Sequence, residues 1–158
     1  MLTDAMIGYA SGLQYNWSTS RTLGTPRMHQ QKFQSATTSK DDDCLMVAFG
    51  DAVDGSANYV IFQLAGELSQ QDINLGMNGI YFEFNDQAYS GYKLVNRIEI
   101  AEDAIVVDFE TGRMSLSEDT SPFRILYDVD GDVASEIRSM LETISTRAEI
   151  EFVNNASQ

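Results

Sequence analysis

Carboxylates are the most abundant ionisable groups in this chain, and Asp72 with Glu83 is the first pair to weigh. Two acids held close together can work as general acid and base, the arrangement that glycosidases use. Their spacing along the chain fixes no distance in space, so the pair stands only as one alternative. His29 is the single histidine. It lies in a polar stretch with little periodicity, and a base must rest against its nucleophile, so no Ser/His or Cys/His pairing is expected from it. Cys44 is the single cysteine, which rules out an internal disulfide and a Cys-based zinc site. It heads an apolar run and reads as a core thiol. Gly76 and Gly79 precede a strand-like run and not a helix, unlike a phosphate-binding loop. Asp128, Asp130 and Asp132 begin like a calcium loop, but the required Gly and Glu positions hold Val133 and Ser139. Helix capping accounts for these carboxylates better, and the sequence predicts neither a metal site nor a cofactor.

The elements that would position these groups are mostly strands. Residues 44–49 and 59–62 are continuous apolar runs, as expected of strands covered on both faces. Residues 51–56, with Asp54-Gly55, link them as a hairpin loop would. A short, weak strand fits residues 31–37, and the Asp41-Asp42-Asp43 triplet makes a turn after it. Ile98 and Ile100 alternate with Arg97 and Glu99. Beyond a Glu102-Asp103 turn, Ile105, Val107 and Phe109 alternate with polar residues, which predicts a hairpin buried on one face. Pro122 opens a further strand over 123–127. Val133, Ile137, Met140, Leu141 and Ile144 then form a single apolar stripe at helical spacing. Asp130 and Asp132 suit the N-terminus of that helix and Arg147 its C-terminal end. Residues 148–153 could add a last strand. The expected fold is α+β: a mainly antiparallel sheet of about five to seven strands with one C-terminal amphipathic helix packed on a face.

Composition narrows the function classes. The chain's 158 residues suit one domain with a real core, and 43% hydrophobic residues argue against disorder. Residues 1–27 are polar and rich in Gly, Ser and Thr, and read as an N-terminal extension or a misplaced start. Residues 28–158 read as the single domain. The start lacks the basic and apolar regions of a signal peptide, and no apolar run approaches a membrane span, so a cytoplasmic protein is expected. Net charge is −14, divided as 4 − 1 = +3 over residues 1–40 and 6 − 23 = −17 over 41–158. A body this acidic disfavours direct binding to nucleic acid or anionic lipid and attracts a basic surface.

Residues 58–92 carry an order of elements that no common catalytic motif contains. An apolar run ends in a turn from Gln71 to Gly79, a second strand-like run covers residues 80–85, and it closes on Asp86-Gln87 and Ser90-Gly91-Tyr92. In Tyr59, Gln63, Asp72, Leu75-Gly76-Met77, Gly79, Glu83, Gln87 and Gly91-Tyr92 this stretch resembles the Immunity protein 10 family. Members of that family are small bacterial proteins that neutralise the toxin domains of polymorphic toxin systems. The resemblance extends from near Cys44 to the C-terminal helix. It implies a non-enzymatic, cytoplasmic protein that binds a cognate toxin and occludes its active or substrate site.

Two roles are open for the shared positions. Asp72, Gly76, Gly79, Glu83, Gln87, Gly91 and Tyr92 are expected chiefly to hold the fold, since immunity proteins must match diverse toxins. Asp41, Asp42, Asp43, Glu118, Asp119 and Tyr89 are the candidate toxin contacts. A basic nuclease would suit the charge. The alternatives are a small acidic enzyme using paired carboxylates, or a structural or regulatory interaction module.

Overall fold

Alternation along the strands sets the architecture. In a computed structural model, which describes residues 9–10, 13–14, 29–51, 57–110 and 122–156, the ordered elements run as follows. Strands β1 (Tyr9–Ala10) and β2 (Leu13–Gln14) pair with each other. Strands β3 (His29–Phe33), β4 (Ser35–Lys40), β5 (Cys44–Gly50) and β6 (Tyr59–Ala65) come next. A short helix α1 (Gln70–Asn74) leads to β7 (Tyr81–Phe84), β8 (Asp86–Tyr92), β9 (Val95–Ile100), β10 (Ala104–Phe109) and β11 (Phe123–Tyr127). Helix α2 (Gly131–Arg147) and strand β12 (Glu151–Asn154) complete the order.

Ten of these strands form two five-stranded sheets, ordered β4-β5-β6-β7-β8 and β12-β9-β10-β11-β3. The first is an antiparallel meander. The second is antiparallel at its centre and gains β3 on β11 and β12 on β9 in parallel. The mainly antiparallel α+β class is as expected, with the strands divided between two sheets. The short strand expected over residues 31–37 is instead two strands, one in each sheet, broken at Gln34.

The inner faces of both sheets meet in one core. Leu45, Val47 and Phe49 on β5 and Val60, Phe62 and Leu64 on β6 are buried, while the residues between them are half-buried. These strands are therefore not covered on both faces. Their period of two was hidden because Met46, Ala48 and Ile61 on the outer face are apolar as well. Phe82 of β7 lies across the interior from β10 and β11, with ring centroids 4.9 Å from Phe109 and 6.4 Å from Phe123. Helix α2 touches β4 and β5 of one sheet and β9 and β12 of the other. Its stripe packs as the spacing predicts, with Ile137, Leu141 and Ile144 fully buried and Val133 and Met140 against the same core. Asp130 caps its N-terminus by accepting from the Asp132 and Val133 N–H groups, at 3.1 and 3.0 Å.

His29 departs from the expectation of a poorly structured stretch. It opens β3, where pairing to β11 places its ring 5.1 Å from Phe123 in a stacked arrangement and 5.8 Å from Phe84. Burial lowers its pKa. The folded state then resists a proton that the unfolded chain accepts near pH 6.5, so this residue's contribution is present above that pH and lost as pH falls towards the folded pKa. Thermal unfolding midpoints should therefore drop between about pH 7.5 and about pH 5.5. His29→Phe should remove most of the drop, because no other histidine titrates there. An unchanged slope in that variant would place the proton elsewhere.

Candidate functional site

One end of the first sheet gathers most of the residues singled out in the sequence. The strand register puts the β4–β5 turn, the β6–β7 link and the β8–β9 link at that end. Asp41 builds the first of these turns: its Oδ1 accepts from the Asp43 N–H at 3.0 Å and the Cys44 N–H at 2.7 Å. Asp42 and Asp43 are exposed. The Gly66 N–H donates to the Asp43 carbonyl at 2.8 Å. A Cβ on Gly66 would lie 2.4 Å from the Asp42 carbonyl oxygen, so the acidic turn and the start of the β6–β7 link are locked together.

That link holds α1, a helix where the sequence predicts only a turn. Ser69 and Asp72 form a capping box: the Ser69 Oγ accepts from the Asp72 N–H, and the Asp72 carboxylate accepts from the Ser69 N–H at 2.9 Å. The Ser69 side-chain and backbone bonds hold the Asp72 carboxyl below its ordinary pKa. At the other end, Gly76 has φ +74°. The Met77 N–H reaches the Asp72 carbonyl at 2.9 Å and the Gly76 N–H reaches Ile73 at 3.0 Å, a complete Schellman motif. Gly79 lies close under Lys93, whose Cγ would be 2.7 Å from an added Cβ. The Ser-x-x-Asp spacing at Ser69 was the available signal for this helix.

The outer face of the same sheet carries Glu83. Its two carboxylate oxygens accept from the Tyr59 and Tyr81 hydroxyls, each at 2.5 Å. The Tyr81 and Tyr92 rings lie 5.1 Å apart, and Gln63 donates to the Met46 sulfur at 3.7 Å. Burial, then the bond to Glu83, pushes the Tyr59 pKa up to about 12, and the same causes raise Tyr81. Both phenols stay protonated and both carboxylate oxygens are engaged, which suits a fixed polar surface better than proton transfer. Asp72 caps α1 while Glu83 holds two phenols, so the two carboxylates serve different elements.

The remaining candidates are placed as follows. Gln87 is exposed on β8 and its carbonyl accepts from the Ser90 hydroxyl at 2.7 Å. Gly91 pairs with Phe82, and an added Cβ would press on Leu94 at 3.2 Å. Tyr89 packs partly against the core, unlike Tyr92. Cys44 is half-buried and not a core thiol, because β5 turns it to the outer side from Leu45. Burial and the neighbouring Asp41 raise its pKa. Glu118, Asp119, Asp54 and Gly55 lie outside the described residues. Among the described residues, no group of three or more His, Cys, Asp or Glu is placed to hold a metal ion, and no helix is long and apolar enough to cross a membrane.

The second sheet presents a different surface. Arg97 on β9 pairs with Glu99 at 2.6 Å, Asp108 at 3.1 Å and Glu151 at 3.6 Å, and Arg124 pairs with Asp103 at 2.6 Å. Both of these arginines are matched by acids. Residues 41–92, by contrast, contain nine carboxylates (Asp41, Asp42, Asp43, Asp51, Asp54, Glu67, Asp72, Glu83 and Asp86) and no lysine or arginine.

The family model of Immunity protein 10 matches residues 31–134. The chain belongs to that family. The Immunity protein 10 match begins earlier than the resemblance carried by the motif residues, at Gln31 within β3 and not near Cys44, and it ends in the first turn of α2. It takes in the acidic turn, α1, the Tyr59–Glu83–Tyr81 cluster, the whole first sheet and β9, β10 and β11 of the second. Membership implies an immunity protein that binds a cognate toxin, and suggests a role without catalysis. No curated protein matches the chain.

Proposed function

We propose that this protein, acting in the cytoplasm of a cell that makes or meets the toxin, binds a basic toxin domain and neutralises it by covering its active or substrate site. The working domain in this reading is 28–158. The observation that carries it, beyond family membership, is the charge: −17 over residues 41–158, with a long stretch free of cations. Such a surface would compete for a groove built to hold a phosphate backbone, so a nuclease is the toxin class favoured. Complementary charge acts mainly on encounter rate and specificity.

Co-expression with candidate toxin domains encoded upstream of this chain's gene should restore survival against one of them, and continued killing by all of them would remove the reading. The association rate of the purified pair should fall by about tenfold or more as salt rises from roughly 10 to roughly 150 mM, since the screening length shrinks from about 30 to about 8 Å over that range. Asp42→Lys with Asp43→Lys should lower association more than it raises dissociation. Asp41 is left intact because its carboxylate holds the turn. A salt-independent rate would make the acidity a solubility feature.

A further inference from the structure

We propose that α1 and the acidic turn at the same end of the sheet form the surface that seats on the toxin, inserting Leu75 and Ile73 into an apolar recess rimmed by basic groups. The inference rests on the toxin-binding reading above and adds where and how contact is made. Helix α1 is fixed at both ends by a capping box and a Schellman motif, yet none of its own residues is buried. Leu68, Ile73 and Leu75 are the large hydrophobic side chains that stand exposed among the described residues, Leu75 at 66%. A rigid element that contributes nothing to the core, and holds apolar groups out in water, fits a preformed contact surface: little ordering entropy remains to be lost on binding.

Charge selects the occupant. Asp42, Asp43 and Glu67 are exposed, the first two on the turn that Gly66 closes against and Glu67 next to Leu68 in the chain, within the stretch that holds no lysine or arginine. A second copy of this chain would bring like charge against like, and an anionic bilayer would be repelled in the same way. A basic protein face with an apolar centre satisfies both halves of the patch, in the usual arrangement of an apolar anchor within a polar rim.

The test uses the full chain and an active-site-dead form of the toxin domain that it neutralises in the co-expression assay. Leu75→Asp combined with Ile73→Ser should weaken Kd by about 30-fold or more, the effect of removing an interface anchor. Leu75→Ala alone should give a smaller loss in the same direction. Melting curves should stay close to the parent, since neither side chain is buried in the core. Lys32→Ser, on the outer face of the other sheet, should leave Kd unchanged. A double variant that melts like the parent and binds within about threefold of it overturns this surface while the toxin-binding reading stands. Failure of the parent chain to bind the toxin domain overturns both. A dimer in sedimentation that Leu75→Asp abolishes would assign the patch to self-association and overturn the proposal.

Discussion

Phe82→Ala should destabilise the protein by about 3–5 kcal/mol, the largest loss expected of any single change in the described core. Phe82 is fully buried, and its ring meets Phe62 at 5.3 Å within its own sheet and Phe109 at 4.9 Å across the interior. Truncation removes the ring's transfer free energy and leaves a cavity that two opposed sheets cannot close without giving up other contacts. Edge-on aromatic pairs add about 0.5–1.5 kcal/mol beyond area burial, and Phe82 makes several. Chemical denaturation read by tyrosine and tryptophan fluorescence measures the loss. A value under about 1.5 kcal/mol would mean that the two sheets are not joined through this ring.

Leu141→Ala should cost about 2–5 kcal/mol. Leu141 lies at the centre of the α2 stripe, fully buried between Ile137 and Ile144. Because α2 touches strands of both sheets, the cavity opens where three elements meet, and a single rigid shift cannot fill it. Leu141→Met, close in volume, should cost less than about 1.5 kcal/mol. Equal losses for the two variants would point to backbone disruption, and a loss under about 1 kcal/mol for the alanine variant would take the stripe out of the core.

Helix α2 was legible because its apolar spacing, its Asp130 cap and its Arg147 end all agree, and one buried face decides the matter. The β9–β10 hairpin was legible for the same reason: Ile98 and Ile100 alternate with charged residues, and Ile100 pairs with Ile105 and Ile98 with Val107. The division into two sheets was not. Apolar residues on the outer face of β5 and β6 erase the alternation that would have shown it. Strand β8 reads as a turn because Gln87, Ser90 and Gly91 have turn chemistry. It is held as a strand by its ladder to β7 and by Asn85, at φ 58°, whose side chain accepts from the Tyr59 N–H at 2.7 Å. The Tyr59–Glu83–Tyr81 cluster depends on the register that sets Ile61 opposite Glu83. No sequence rule fixes that register across a link as long as the one containing α1.

The parallel pairing of β3 with β11 has a consequence in time. The partners His29 and Phe123 are separated by 123 − 29 = 94 residues, so β3 is made early and waits for most of the chain. The β4–β8 meander can close from local contacts, but Val47, Phe62 and Phe82 on its inner face have no cover until β9 to β11 follow. Contacts this distant form late and slowly. A ribosome that stops before Tyr127 therefore releases a chain whose first sheet is bare and whose first long strand has no neighbour. On the proposed toxin-binding reading, protection that rests on the folded surface around α1 arrives only after β11 has been made, and stops anywhere before Tyr127 should be equivalent in withholding it.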